Sequence, residues 1–392
     1  MRRYAAVLLL AASACSSGTN PQTLSVVSQN LYLGGDIFLV TVAADATEAA
    51  AATYDVWQTV QATNFPARAK VIAAGIAAQN PDVIGLQEVT TWRTGVPAVC
   101  APDGSGLPVI NAPIAGTVVY DFLGSLQAEL AALGLQYDVA AVTQANDIEF
   151  CAFKATSGEA PIDVRYTDRD VILVRSGMPQ RNASGGVYDT YIPVPIPGTP
   201  VVVPQRRAWN VVEVQKGSTW VRVFETHLEV QEIAQAEPYG FIFQLAQAGE
   251  LIGLHVNPAN AAAPLPTVLV GDMNSQAEQP GGSPLRITYN FLAQGLPFPD
   301  VAVVPWWPSA LVGTVSPLAD AWTQANPGQP GLTWGFSDDL LTGTMSQRID
   351  LILAWDAGGQ SMQTFGATAM TATTPPLHAS DHLGVAAQIA LP

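Results

Sequence analysis

The chain has 392 residues, of which 48% are hydrophobic and only 12% are charged. This length fits one large domain or two ordinary ones and is enough to bury a core. Acidic residues outnumber basic ones by 32 to 16, for a formal net charge of −16. Such a surface repels polyanions at long range, which argues against a non-specific nucleic-acid binder but does not exclude an enzyme whose bound cations reverse the local field.

The N-terminus has the pattern of an export signal. Two arginines precede the apolar run 5–12, and residues 12–14 form an Ala-x-Ala cleavage site. The run is too short to cross a bilayer as a helix. We therefore expect a signal peptide at 1–14 and an exported protein.

The cysteines leave two interpretations of this N-terminus. "ASAC" followed by "SSGTN" resembles a bacterial lipobox in which Cys15 carries the lipid and residues 15–23 form a polar tether, although Ala12 stands where leucine is usual. The alternative is plain secretion after Ala14. If Cys15 is lipidated, Cys100 and Cys151 remain as a pair in an oxidising compartment, where a disulfide is expected. The alternative for this pair is two free buried thiols.

Strand and helix patterns are mixed along the rest of the chain. The first half predicts a strand at 23–30, a helix at 66–79, a strand running to Glu88, an amphipathic helix at 118–134 and a strand at 169–177. The second half predicts a hairpin at 206–230, a helix at 241–254, and strands at 267–271, 347–355 and 381–391. Pro/Gly-rich stretches at 91–118 and 276–318 are predicted to be surface loops, and 191–204 an extended loop or edge strand. With no repeat and no interior linker, the pattern predicts one α+β domain over 24–392, in which helices cover two packed sheets.

Polar side chains stand at the ends of five of these apolar strands: Asn30, Glu88, His227, Asp272 with Asn274, and Asp381 with His382. Asp350 lies within the apolar run 347–355, where a charge needs a partner because unpaired burial is costly. Taken alone, each of these residues is more often a turn, a cap or a core group. Their recurrence at strand ends predicts one shared site.

An oxygen-rich set of this kind suits a hard divalent cation. Glu88 and Asp381 offer carboxylates and Asn30 a neutral oxygen, which favours Mg²⁺, with Mn²⁺ or Ca²⁺ as alternatives. The Cys/His spacing typical of zinc sites is absent from the sequence. His227 and His382 titrate near neutrality, and a neighbouring carboxylate would fix the tautomer of each ring.

The order of these blocks resembles the endonuclease/exonuclease/phosphatase superfamily, which has the DNase I-like fold. The matching blocks are "SQNLYLGGD", "PDVIGLQEV", "RDVILVRSG", "VRVFETHLE", "VLVGDMNS", "QRIDLILAW" and "SDHLGV", and they span nearly all of the chain after residue 26. The resemblance implies a four-layer α/β/β/α sandwich, in which two packed mixed sheets are flanked by helices. It also implies metal-dependent hydrolysis of a phosphodiester or phosphomonoester by in-line attack of water.

The resemblance further implies a role for each polar residue. The implied assignments are Glu88, Asn30 and Asp381 for the metal, Asp272 for the attacking water, Asn274 and His227 for the phosphate, and His382, held by Asp350, as base or phosphate-binding imidazole. Whether one metal or two is used stays open. Further phosphate contacts are sought among Asn146, Arg169, Asp170 and Arg207, and His378 is either a substrate-side group or an exposed loop residue.

The substrate is the least determined part of this hypothesis. Relatives cleave nucleic acid, phospholipids in the manner of phospholipase C or sphingomyelinase, and soluble phosphate esters, and the acidic charge disfavours a secreted nuclease. A lipid anchor would place the enzyme at a membrane, and Trp306 and Trp307 would suit a bilayer interface unless they pack in the core. The alternative of another class is a non-catalytic surface-binding lipoprotein, which the complete polar set disfavours. The sequence does not indicate an oligomeric state.

Overall fold

The computed structural model describes residues 22–100, 113–196, 201–231 and 240–392. The predicted signal peptide 1–14, Cys15 and most of the tether 15–23 lie outside these residues. Within the described ranges, none of the helices combines the length and the apolarity needed to span a bilayer.

Two mixed sheets form the centre of the fold. The first sheet contains β1 (Thr23–Asn30), β2 (Val83–Gln87), β3 (Thr91–Gly95), β4 (Thr117–Asp121), β5 (Tyr137–Ala152), β6 (Ile162–Arg175), β17 (Gly358–Phe365) and β18 (Gly384–Ala390). The second sheet contains β7 (Gln180–Val187), β10 (Ala208–Lys216), β11 (Thr219–His227), β12 (Thr267–Asp272), β13 (Ala319–Asp320) and β16 (Asp350–Trp355). Separate hairpins are formed by β8 (Ile192–Pro195) with β9 (Val202–Gln205), and by β14 (Trp334–Phe336) with β15 (Gly343–Gln347).

The strand order places the chain's polar strand ends at the middle of each sheet. The first sheet runs β17-β18-β1-β2-β6-β3-β4, with β5 also paired to β6, and the second runs β13-β16-β12-β11-β10-β7. The pairs β1–β2 and β11–β12 are parallel, and the strands that flank them are antiparallel. Each sheet thus brings two carboxyl-terminal strand ends side by side.

Helices cover the outer faces of both sheets. They are α1 (Phe38–Thr41), α2 (Ala46–Ala62), α3 (Phe65–Gln79), α4 (Phe122–Ala132), α5 (Gly240–Glu250), α6 (Asn257–Ala262) and α7 (Ile287–Ala293). A further short helix, α8 (Ala321–Ala325), packs through Ala321 and Trp322 with the residues between the sheets. A π-helical segment, Leu251–Val256, joins α5 to α6. Short 3₁₀ turns occupy Pro284–Arg286 and Ser309–Leu311.

Alternation along the central strands builds three apolar layers. Val26 of β1 faces the second sheet, whereas its neighbour Val27 packs beneath the helices of the first sheet. On β12, Val268 and Val270 face the first sheet and Leu269 faces α5. Successive strand residues point to opposite faces, so strands buried on both sides read as continuous apolar runs. The predicted four-layer sandwich is confirmed.

The two sheets come closest where a glycine replaces a side chain. A Cβ atom at Gly85 of β2 would collide with Val270 of the facing sheet. This close approach brings the end of β2 next to the ends of β11 and β12, and therefore brings the polar residues of both sheets together.

Several predicted elements differ from the structure. The helix predicted at 118–134 is wrong in its first turn, because β4 extends to Asp121 and α4 begins at Phe122. The sequence analysis assigned no element to α2 or to the long strand β5. The loop prediction for 276–318 is wrong for α7, and that for 91–118 is wrong for β3. The hairpin β8–β9 agrees with the edge-strand alternative for 191–204, of which residues 197–200 lie outside the described part.

Cys100 and Cys151 form a disulfide bond. It ties the segment after β3 to the end of β5, beside Ala50 of α2. The alternative of two free buried thiols is therefore wrong.

Candidate active site

Three polar residues of the second sheet lie in one row across neighbouring strands. His227, the last residue of β11, pairs in register with Asp272, the last residue of β12, and Asp272 pairs with Asp350, the first residue of β16. All three are buried. Because the strand pairing fixes this register, it also fixes the relative positions of these three side chains.

Asn30 and Glu88 approach this row from the first sheet. The Asn30 Nδ2 atom donates to Glu88 Oε1 and to Asp272 Oδ2, each at 3.0 Å, so one amide joins carboxylates of both sheets. The Asn30 Oδ1 atom accepts from the Tyr32 backbone N–H at 2.8 Å. Asn30 was predicted as a metal ligand through its oxygen. Here it presents nitrogen to the carboxylates, and its geometry is that of a residue that positions them.

Backbone strain surrounds the same point. Tyr32, Glu88 and Asn274 have φ angles of 56°, 55° and 49°. Such left-handed conformations are uncommon for residues other than glycine, and they concentrate at functional sites. Asn274 therefore does not continue the strand geometry of β12, which ends at Asp272. Its backbone N–H instead turns back to Asp272 Oδ1 at 2.9 Å, and its side chain still reaches the cleft.

Asp350 and His382 form a hydrogen-bonded pair. The His382 Nδ1 atom lies 2.8 Å from Asp350 Oδ2, and the Nε2 atom lies 3.6 Å from Asp272 Oδ2. Nδ1 therefore carries a proton, and Nε2 faces the cleft. Burial opposes a charged ring, but Asp350, Asp381 and Asp272 outweigh it and raise the pKa of His382 well above its ordinary value.

His227 is held on the opposite side of Asp272. Its Nε2 atom lies 3.5 Å from Asp272 Oδ2 and 3.1 Å from Asn274 Nδ2. The Arg207 Nη1 atom lies 3.1 Å from both ring nitrogens. Burial, Arg207 and His382 lower the pKa of His227 well below its ordinary value, so this ring is neutral.

Arg207 is the one arginine or lysine among the described residues that line the cleft. Glu229 holds it, because the Glu229 Oε1 atom accepts from Nε at 3.1 Å and from Nη2 at 2.9 Å. The Nη1 atom is left facing His227. The sequence analysis named Arg207 only among several phosphate-binding candidates, and the geometry singles it out from them.

Two of the other candidates have structural partners elsewhere. Arg169 donates to the Val89 carbonyl and to Thr91, and Asn146 exchanges hydrogen bonds with the backbone of Arg206. Asp170 is buried and does not line the cleft. His378 stacks on Phe336, with ring centroids 3.5 Å apart.

The cleft, about 260 Å³ in volume, is strongly acidic. Six carboxylates line it in the described residues: Asp36, Glu88, Asp168, Asp272, Asp338 and Asp381. Burial, and then repulsion from Asp350, raises the pKa of Asp272 to about 6. Burial, and then repulsion from Glu88 and Asp272, raises the pKa of Asp381 to about 7. Carboxylates held together against their repulsion fit a hard divalent cation.

The ligand atoms of Asp272, Asp350 and His382 all lie within 4.8 Å of one another. Asp350 is hydrogen-bonded to the ring of His382 and is therefore not free to bind a cation. The three residues Asp272, Asp350 and His382 are better suited to proton transfer than to metal binding. Glu88 and Asp381 remain the residues best placed to hold a cation at the cleft surface. Asn30, which lies between the sheets, positions the Glu88 carboxylate.

Arg68 of α3 joins the two loops that carry these ligands. It is fully buried, and it donates to the carbonyls of Leu31 at 2.6 Å, Tyr32 at 3.0 Å and Ala379 at 3.1 Å. Leu31 follows Asn30, and Ala379 precedes the Asp381–His382 pair. Burial lowers the pKa of Arg68 to about 10, so the guanidinium stays charged at neutral pH.

Several lining residues escaped the sequence analysis: Tyr32, Asp36, Asp168, Trp334 and Asp338. Most lie in loops without a strand pattern before them. Asp168 was detectable, because it is two residues from Asp170 on the same strand and alternation places both on one face.

Comparison with known proteins gives one match along most of the chain. Residues 52–382 match the model of the "Endonuclease/Exonuclease/phosphatase family". No significant match is found among curated proteins.

Solved structures of similar fold include several members of that family. Truncated Caenorhabditis elegans TDP2 is 15% identical, covers 94% of this chain and 98% of its own, and has a TM-score of 0.48. A family protein from Bacteroides thetaiotaomicron is 16% identical, with coverages of 95% and 99% and a TM-score of 0.49. The mannosyl-6-phosphatase Bt3783 of the same organism is 15% identical, with coverages of 93% and 99% and a TM-score of 0.46. These values do not transfer a substrate to this chain.

Replacing Arg68 tests its role in holding the loops. Arg68→Met leaves four buried carbonyls without this donor, those of Leu31, Tyr32, Thr63 and Ala379, at about 1–3 kcal/mol each. We expect unfolding at lower denaturant and loss of hydrolysis, whereas Arg68→Lys keeps the fold and recovers part of the activity. Lys70→Met, on an exposed position of the same helix, is the control. An Arg68→Met variant with normal activity would contradict this role.

Cation binding to the cleft should depend on pH. Carboxyl groups with raised pKa hold protons below neutrality, so a divalent cation must displace them. We expect the affinity for Mg²⁺ to rise between about pH 5 and about pH 8, with about one to two protons released per ion near pH 6. Calorimetry in buffers of different ionisation enthalpy measures this release, and Asp381→Asn should reduce it. A pH-independent affinity would rule out these carboxylates as ligands.

Proposed function

The chain belongs to the endonuclease/exonuclease/phosphatase family and is thus a hydrolase of phosphate ester bonds. From this premise we propose that its acidic cleft performs metal-assisted attack of water on a small phosphate ester. One observation carries the proposal: the side-chain amide of Asn30 donates both to Glu88, at the end of the first sheet, and to Asp272 of the second sheet.

The cation is assigned to Glu88 and Asp381. Both line the cleft, and Asn30 and the Leu33 backbone N–H, which lies 2.6 Å from Glu88 Oε2, orient the Glu88 carboxylate. A divalent cation bound there, most simply Mg²⁺ with Mn²⁺ or Ca²⁺ as alternatives, would neutralise negative charge on the phosphate oxygens.

Asp272 is the proposed base for the attacking water. Its Oδ2 atom lies between the Nε2 atoms of His227 and His382, at 3.5 and 3.6 Å, and its Oδ1 atom is held by the Asn274 N–H. Both oxygens are therefore fixed in direction. A positioned carboxylate of this kind takes the proton of water as the oxygen bonds to phosphorus, which typically accelerates the step about 10²–10⁴-fold.

The phosphate oxygens meet donors on two sides. His382, with Nδ1 bound to Asp350, directs Nε2 into the cleft as a protonated ring. On the other side, Asn274 and Arg207 present nitrogen donors around His227. Fixed donors stabilise the charge that develops on the oxygens as the ester bond breaks.

A small substrate with a single phosphate is favoured over nucleic acid. Among the described residues, the cleft lining holds one arginine against six carboxylates, and the chain carries a net charge of −16. Nucleic-acid binding needs several cations along the phosphate backbone. A soluble ester presents a single phosphate, which the donors His382, Asn274 and Arg207 can surround.

Hydrolysis of a lipid headgroup is the second candidate. The two tryptophans differ in burial. Trp307 packs in the core, with 6% of its surface exposed, whereas Trp306 is 44% exposed and could contact a bilayer. An exposed tryptophan beside apolar residues favours a membrane interface.

We propose in addition that the protein is exported, with Cys15 lipidated or cleavage after Ala14. The N-terminal pattern supports this, and so does the Cys100–Cys151 disulfide, because such bonds persist in oxidising compartments. Mass spectrometry of the mature N-terminus tests it. A diacylglyceryl adduct on Cys15 or an N-terminus at residue 15 agrees with export, and an intact residue 1–14 segment contradicts it.

Single substitutions test the catalytic assignment. Glu88→Ala, Asp272→Ala and His382→Ala should each lower the metal-dependent hydrolysis of bis-p-nitrophenyl phosphate by about 100-fold or more, with circular dichroism unchanged. His378→Ala is the matched control, because that ring stacks on Phe336 outside the cleft lining. Wild-type activity in the His382 variant would overturn the mechanism.

A substrate panel separates the two candidates. Plasmid DNA, RNA, sphingomyelin, phosphatidylcholine, inositol phosphates and p-nitrophenyl phosphate are tested with Mg²⁺, Mn²⁺ and Ca²⁺, and EDTA is the control. We expect the highest kcat/KM on a soluble ester, because one arginine suits one phosphate. Preference for a vesicle substrate supports the lipid candidate, and preference for DNA contradicts both.

A further inference from the structure

A second and larger cavity lies apart from the catalytic cleft. Its volume is about 490 Å³, and it shares no described lining residue with the cleft. We call it the side pocket, and its principal lining residues are Asp189, Tyr191, Phe243, Glu250, Leu254 and Trp306. A volume of this size is typical of small-molecule sites.

The walls of the side pocket are aromatic and aliphatic. Phe243 of α5 stacks on Trp306, with ring centroids 4.4 Å apart. Leu254 lies on the π-helical segment after α5 and is 49% exposed. π-Helical segments inserted between α-helices are frequently found at functional sites. Exposed apolar surface inside a concave site favours a ligand with an apolar body.

The polar part of the side pocket is negative. Glu250 is buried and accepts from the backbone N–H groups of Asp189 at 2.8 Å and Thr190 at 3.0 Å. Neither Glu250 nor Asp189 forms an ion pair with a cationic side chain in the described part of the chain. The nearby Arg206 lies over the ring of Tyr191, 4.3 Å from its centroid, and is not a lining residue.

We propose that the side pocket binds an organic ammonium group carried on an apolar body. The aromatic rings attract a cation as well as an apolar surface, and the two carboxylates supply the opposite charge. The same charges disfavour an apolar anion such as a fatty acid. This site is separate from the hydrolytic centre, so the proposal stands or falls independently of the proposed function.

A series of probes matched in shape isolates the effect of charge. Calorimetry on the full chain compares 4-tert-butylbenzylammonium, 4-tert-butylbenzyl alcohol and 4-tert-butylbenzoate. We expect the ammonium to bind about tenfold more tightly than the alcohol, and the benzoate to bind most weakly. Equal affinity for the benzoate and the ammonium, or no saturable binding of the ammonium, would overturn the proposal.

Variants place the bound probe. Leu254→Arg adds a positive charge and bulk at an exposed position, and should weaken ammonium binding about tenfold or more. Asp189→Asn should reduce the difference in affinity between the ammonium probe and the alcohol probe. Asp381→Asn, in the acidic catalytic cleft, should leave the affinity unchanged. If Asp381→Asn weakens binding while Leu254→Arg does not, the ammonium sits in the catalytic cleft and the side pocket is not its site.

Discussion

One buried guanidinium joins two of the loops beside the acidic cleft. Arg68 donates to backbone carbonyls of two loops that are more than 300 residues apart along the chain, one after β1 and one before β18. One side chain can serve all of these carbonyls because a guanidinium carries five N–H donors in a fixed geometry. The rings of Phe65 and Phe122 lie 4.9 and 5.6 Å from the guanidinium carbon, and they give the buried charge a second source of stabilisation.

The site brings together carboxylates that repel one another. Asn30 bonds to Glu88 and Asp272 together, and Asp350 and Asp272 stand on adjacent strands. Burial and repulsion from Asp350 raise the pKa of Asp272, and carboxylates gathered in this way attract a divalent cation. The protein's own positive groups, Arg207 and His382, line the same cleft, and each is bonded to a carboxylate that does not line it, Arg207 to Glu229 and His382 to Asp350.

Strand ends were the most predictable part of the molecule. Asn30, Glu88, His227 and Asp272 each follow an apolar run, and the family resemblance supplied the order in which these runs meet. Arg68 could not be identified in this way, because its partners are backbone carbonyls, which leave no trace in side-chain identity. The first turn of the predicted helix at 118–134 failed because Val118 and Val119 suit either element and pairing with β3 decides for the strand. The long helix α2 was missed although Asp45, followed three residues later by Glu48, is a start signal for a helix.

The row His227, Asp272 and Asp350 is fixed by the hydrogen bonds of the second sheet. A slip of one residue between these strands would turn the side chains to the other face. The catalytic geometry therefore cannot exist in a partly paired sheet. His227, Asp272 and Asp350 thus come together only when β11, β12 and β16, which span residues 219–355, have paired with one another.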